Sequence, residues 1–207
     1  MFTMIPVEPV RVPKNIAILI FDNVTILDFT GPYDVFTHAN REDIKVYTVA
    51  ENLSVVTGYG NLCIMPNYSI FDCPKPDILI IPGGLGTRKE MHNPIIIEWI
   101  KQSYNNIELM FSVCSGALLL AKAGLLDGLK ATTHHNVFGL LEEIAPTTEI
   151  IRDRRFVDNG KILLSAGISA GIDLSLFVVE KVFGKERALQ TTNGMEYQWS
   201  YSNHGEL

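Results

Sequence analysis

Three short apolar runs constrain this chain more than any other feature: 15–21 (NIAILIF), 77–81 (DILII) and 107–113 (IELMFSV). None alternates apolar with polar residues, and each is too short for an amphipathic helix, so each reads as a strand buried on both faces. Such strands need helices on either side of their sheet, and helix-forming stretches do follow them. Residues 94–104 place Ile96, Trp99 and Ile100 on one helical face. Residues 115–123 (SGALLLAKA) form a strong helix that ends at Gly124, a residue suited to a C-cap. Strands interleaved with helices imply right-handed crossovers and an α/β three-layer sandwich, a mostly parallel central sheet with helices on both faces.

The remaining segments fit the same plan. Residues 44–50 (IKVYTVA) read as a strand, and 53–65, around Gly58-Tyr59-Gly60, as a hairpin or irregular arm at a sheet edge. Pro32 can open a helix through His38, which leaves Leu27-Asp28-Phe29-Thr30-Gly31 as a loop delivering Asp28 to the carboxyl end of the first strand. Further strands are expected at 130–133, 149–152 and 161–164, and helices at 136–144, 170–183 and 185–192. No internal repeat, low-complexity tract or linker interrupts the series. The expected organisation is an N-terminal tail over 1–14, a single domain over 15–195 and a C-terminal tail over 196–207. With 207 residues, 47% of them hydrophobic, the chain can bury one sizeable core.

Charge and cysteine content narrow the function. The formal charge is −6 and no basic run exceeds Arg154-Arg155, so nothing offers a footprint for a phosphate backbone, and nucleic acid is excluded as a partner. Three cysteines without repeated spacing make neither a disulfide framework nor a zinc knuckle. A reducing, cytoplasmic setting follows, with no metal. The first 14 residues carry three prolines and mixed charge in place of a signal-peptide core, and no later run reaches membrane-spanning length. No membrane partner is expected.

Cys114 falls where the strand 107–113 meets the helix 115–123. A side chain at such a junction is thrust out of a tight bend, with free backbone N–H groups behind it. The flanks are Ser112 and Gly116, small residues two positions either side, where bulk would strike the returning backbone. A helix N-terminus also favours thiolate over thiol. The alternative is a buried structural cysteine; the junction and its flanks favour the reactive reading. Cys63, in a strand-like stretch, and Cys73, before Pro74, lack this setting and read as inert.

Several residues can accompany the sulfur, because parallel strands bring their carboxyl ends to one edge. Pro82-Gly83-Gly84-Leu85-Gly86 follows a buried strand, and its N–H groups with that of Ser115 could hold a developing anion, or the segment is merely a tight turn. Asp28 lies among Ile26, Leu27 and Phe29, a setting that should raise its pKa and let it hold a proton, though Asp also caps helices. Asp22 reads as a turn residue. His134 or His135 could orient the thiolate, one of the pair being a helix-start residue. Ile168 and Ser169, in the small-residue lead into the helix 170–183, could wall a pocket or only permit close packing.

Together these pieces resemble the ThiJ/PfpI superfamily of the class I glutamine amidotransferase-like, flavodoxin-like fold, and within it the isonitrile-hydratase-like branch. The resemblance rests on Leu27 to Pro32 (LDFTGP), Asp72-Cys73-Pro74, Ile81-Pro82-Gly83-Gly84, Val113-Cys114-Ser115-Gly116, Ala123-Gly124-Leu125-Leu126, Ala131-Thr132-Thr133-His134 and Ala170-Gly171-Ile172-Asp173, in family order. It implies a site centred on Cys114, an acidic partner at Asp28, an oxyanion-type pocket from Gly84 and Ser115, and a homodimer with the site near its interface. Ser115 stands where the hydratase branch usually has Thr, which keeps the hydroxyl. Amidase, protease-like and glyoxalase relatives often carry His after the nucleophile or Glu at the acidic position, and this chain has neither.

The expected activity is hydration of an isonitrile, a small-molecule substrate, to an N-substituted formamide. Cys114 attacks the terminal carbon, Asp28 gives a proton, water displaces sulfur, and no cofactor is needed. One alternative is glyoxalase, deglycase or amidase-like chemistry through Cys114. Another is a non-catalytic oxidant or ligand sensor; against a regulator stands a chain ending at Leu207 without room for a helix-turn-helix module.

Overall fold

The computed structural model describes residues 13–39 and 44–199. Its strands in chain order are β1 (Asn15–Leu19), β2 (Lys45–Ala50), β3 (Val56–Thr57), β4 (Cys63–Ile64), β5 (Tyr68–Ser69), β6 (Ile78–Ile81), β7 (Leu109–Val113), β8 (Lys130–Ala131), β9 (Glu149–Ile150), β10 (Phe156–Asp158) and β11 (Ile162–Ser165). The helices are α1 (Ile26–His38), α2 (Thr87–Glu90), α3 (Pro94–Tyr104), α4 (Ala117–Lys122), α5 (Phe138–Ile144), α6 (Ala170–Phe183) and α7 (Lys185–Gly194). The main sheet runs β10-β11-β7-β6-β1-β2-β5. Every neighbouring pair is parallel except β10 with β11.

The apolar runs occupy the centre, as their composition requires: β6, β7 and β11 are buried at every position, and β1 at all but its first. Helix contacts fall into two sets, α1 with α6 and α7, and α4 with α2, α3 and α5, which makes the two outer layers of an α/β sandwich. Among the described residues no helix is long and apolar enough to cross a membrane.

Four features depart from the sequence reading. Helix α1 starts at Ile26, so Asp28 stands in its first turn and not on a loop, while Pro32 lies inside the helix. Proline removes an internal hydrogen bond there. Packing compensates: a Cβ on Gly31 would already be 3.0 Å from Ile172 of α6, and Thr30 Oγ1 donates to the Ile26 carbonyl at 2.8 Å. The segments at 130–133 and 149–152 do form strands, but β8 and β9 pair only with each other, outside the main sheet. The arm at 53–65 is a hairpin, β3 against β4, in a sheet of its own, and the edges of the main sheet are β5 and β10. Finally, the C-terminal tail expected from 196 is tied down at its start, where Tyr197 OH donates to Asp173 Oδ1 at 3.0 Å. Residues 1–12 and 200–207 of the expected tails lie outside the described residues.

Candidate active site

Cys114 directly follows β7 with φ +57, the left-handed region, and begins a single 3-10 turn, Cys114–Gly116, that leads into α4. For a residue with a Cβ this conformation costs about 1 kcal/mol. Backbone bonds hold it: Cys114 N–H donates to the Ala166 carbonyl at 3.2 Å, and the Cys114 carbonyl accepts from Thr133 Oγ1 at 2.7 Å. Gly116 is where the bend closes on β6. A Cβ there would be 2.1 Å from the Ile81 carbonyl oxygen, which makes glycine obligatory.

Asp28 meets this elbow from α1. It is fully buried; Oδ2 accepts from Gly83 N–H at 3.1 Å, while Oδ1 has no hydrogen-bond partner among the described residues. The carboxyl interacts with the Cys114 thiol. Helix capping, the competing role for Asp28, is not what its side chain does, because the oxygen it engages belongs to another segment's amide. Burial raises the Asp28 carboxyl to about 7, against the lowering pull of Gly83 N–H and of the thiol. Asp22 is a turn residue, its Oδ1 accepting from Thr57 N–H at 2.9 Å.

The sulfur is drier than the sequence reading required. Cys114 is 5% exposed, and burial pushes its thiol up to about 12, helped by the charge of Asp28 and opposed by the N–H groups of Ile168 and Ser115. Amides at the bend do favour thiolate, but desolvation and the facing carboxyl outweigh them. In the free protein the pair therefore keeps its proton, with Asp28 as the group that titrates near neutrality. Cys63 is exposed and Cys73 half-buried.

The glycine amides are occupied. Gly83 N–H holds Asp28, and Gly84 N–H donates to Ser115 Oγ at 3.0 Å. Thr87 Oγ1, fully buried, lies 3.2 Å from the same hydroxyl and donates to the Gly84 carbonyl at 2.8 Å. Gly83, Gly84 and Ser115 thus build a frame for the acid and the elbow, and the two glycine amides are not free donors for an oxyanion. A Cβ on Gly83 would fall 2.5 Å from Ser115 N and 2.9 Å from Asp28 Oδ2, so the frame closes only around glycine.

His134 has a structural role. Its Nδ1 accepts from Asn136 N–H at 3.2 Å, which caps the turn His135–Val137, and its ring stacks on His135 at 4.2 Å. It also packs on Gly167, where a Cβ would come 2.4 Å from Cδ2, and burial lowers its pKa. Ile168 meets the sulfur through its backbone N–H; the residue is 40% exposed, and φ is +39. Thr87 and Thr133 escaped the sequence reading. Thr133 lies within a motif already noted, and its place beside His134 was the available signal.

Comparison with known proteins places the chain in a family. The sequence profile of the DJ-1/PfpI family matches residues 14–181. An isonitrile hydratase of Pseudomonas putida is 34% identical over 186 residues, 88% of this chain and 78% of the relative. The HTH-type transcriptional regulator GbdR of Pseudomonas aeruginosa is 24% identical over 85% of this chain, which spans only 48% of that protein. A crystal structure of a ThiJ/PfpI family protein from Pseudomonas syringae superposes with a TM-score of 0.83 at 28% identity, covering 96% of this chain and 84% of that one. On the profile match and the hydratase relative together, the chain belongs to the DJ-1/PfpI family.

Proposed function

We propose that the chain is a cysteine-dependent enzyme that hydrates an isonitrile to the N-substituted formamide. The observation that carries this reading is Asp28: a dry carboxyl raised to about 7, one oxygen fixed by Gly83 N–H and the other with no geometric hydrogen-bond partner among the described residues, the group as a whole facing the Cys114 thiol. An isonitrile takes nucleophile and proton on the same terminal carbon, so a thiol and a proton carrier side by side match its needs.

In the first step the thiol proton passes to Asp28 Oδ1 as the bond from Sγ to carbon forms. Asp28 then returns that proton to the same carbon, leaving an S-linked formimidate on Cys114. Water adds to this carbon, and the carbon–sulfur bond breaks with its electron pair going to sulfur. One proton of the water ends on nitrogen and the other on sulfur, which regenerates the thiol and releases the formamide.

The occupied amides favour this chemistry over the alternatives. Amide hydrolysis and attack on a reactive carbonyl build charge on oxygen, which calls for free donors, and Gly83 and Gly84 have none to spare. Isonitrile addition builds its charge on the carbon that Asp28 protonates. Oxidant sensing fits less well, because sensor cysteines are exposed and of low pKa, whereas Cys114 is buried and raised. The hydratase relative supports the reading further.

The test is a panel of isonitriles, methylglyoxal and simple amides with wild type, Cys114→Ala and Asp28→Ala. Formamide is expected from wild type, none from Cys114→Ala, and a loss of about 10²–10⁴-fold in Asp28→Ala. Wild-type silence on every isonitrile would overturn the reading, and lactate from methylglyoxal would replace it with a glyoxalase. The same reading has the chain act in the cytoplasm as a homodimer; a monomer in sedimentation equilibrium would remove that part.

A further inference from the structure

The turn 166–169 joins β11 to α6 and serves Cys114 twice. The Ala166 carbonyl accepts the Cys114 N–H, and the Ile168 N–H faces the sulfur. Ile168 holds φ +39, a region that a β-branched residue avoids unless its surroundings impose it.

Beside this turn lies a polar cluster that the proposed chemistry does not use. Arg155 Nε donates to Asp173 Oδ2 at 2.8 Å, and Arg155 Nη2 donates to the same oxygen. Arg155 Nη2 also reaches Ser169 Oγ at 3.4 Å, and Tyr197 OH donates to Asp173 Oδ1 at 3.0 Å. The backbone closes the loop, because the Arg155 carbonyl accepts from Ala166 N–H at 2.8 Å. Arg155 therefore holds the turn at its first residue through the main chain and at its last through the side chain. Asp173 fixes that hold to the first turn of α6. The Asp173 side chain is 13% exposed, dry enough for charge-assisted bonds to keep a fixed geometry.

We infer that Arg155, Asp173 and Tyr197 are positioning residues that keep the turn 166–169 in place, so that the Ile168 N–H stays aimed at the Cys114 sulfur. They touch no reacting atom and act through the turn. The inference rests on Cys114 as the reacting group, and its test is independent of the substrate.

Two measurements on Asp173→Asn decide it. Amide hydrogen exchange is expected to quicken about tenfold at 167–169 with β7 and β11 unchanged, because the turn loses its clamp while the sheet does not. Alkylation of Cys114 by iodoacetamide, followed by peptide mass to separate it from Cys63 and Cys73, is expected to slow about tenfold as the thiolate loses an amide partner. A merely loosened fold would open the buried thiol and speed alkylation, so unchanged or faster alkylation overturns the inference, as does unchanged exchange. Should Asp173→Asn fail to fold, Tyr197→Phe, which deletes one hydroxyl, decides by the same two directions at about threefold each. Wild-type isonitrile turnover is measured alongside. Silence there with both shifts present removes the hydratase reading and keeps the clamp, and turnover without the shifts does the reverse.

Discussion

Replacing Asp28 with Asn should make the protein more stable above neutral pH while removing its turnover. Burial lifts the folded-state carboxyl from 3.8 to about 7. Between those values the folded protein keeps a proton that the unfolded chain has released, so the stability is full below the unfolded pKa and is lost as pH rises through the folded one. About three units at roughly 1.4 kcal/mol each make the ionised, buried carboxylate cost about 4 kcal/mol at alkaline pH. Asparagine keeps the shape and an oxygen for Gly83 N–H but cannot ionise. Urea unfolding should give the two proteins similar stability near about pH 4, with the variant ahead by up to about 4 kcal/mol near about pH 8. A difference that stays flat with pH, or that favours wild type as pH rises, would mean that burial does not raise the carboxyl in the folded state, leaving it too weak a base to take the thiol proton and return it to carbon as the proposed reaction needs.

Two further outcomes test the elbow. Cys114→Gly should be more stable than Cys114→Ala by about 1 kcal/mol in urea unfolding, the reverse of the usual order, because φ +57 strains alanine and not glycine. Gly116→Ala should lose about 3 kcal/mol and lower the thermal midpoint, since its Cβ would press on the Ile81 carbonyl, a backbone atom that moves only if β6 and β7 part.

How much of this could be read from the residues depends on whether the physics was local. The runs NIAILIF and DILII are apolar at every position after their first residue, and IELMFSV is apolar but for Glu108 and Ser112, which suits a strand covered on both sides, and they became the centre of the sheet. Tyr68-Ser69 and Phe156-Val157-Asp158 are too short to show a period, so β5 and β10 went unseen. Gly31-Pro32 reads as a helix boundary, and only the packing of Gly31 on Ile172 of α6 explains a helix that runs through it. In the site, Cys114 and Asp28 stood out because a strand-to-helix junction and an apolar neighbourhood are written in adjacent residues. Nothing in Pro82-Gly83-Gly84 discloses that its amides go to Asp28 and Ser115. Nor could the chain show that the Ile168 backbone would face the sulfur from 54 positions away.

The most direct measurement is the mass of the Cys114 peptide after wild-type protein is mixed with an isonitrile and quenched in acid. The expected result is a gain equal to one intact isonitrile on that peptide alone, with neither adduct nor formamide from Cys114→Ala. Formamide produced by Cys114→Ala at the wild-type rate would contradict a reaction carried by this sulfur.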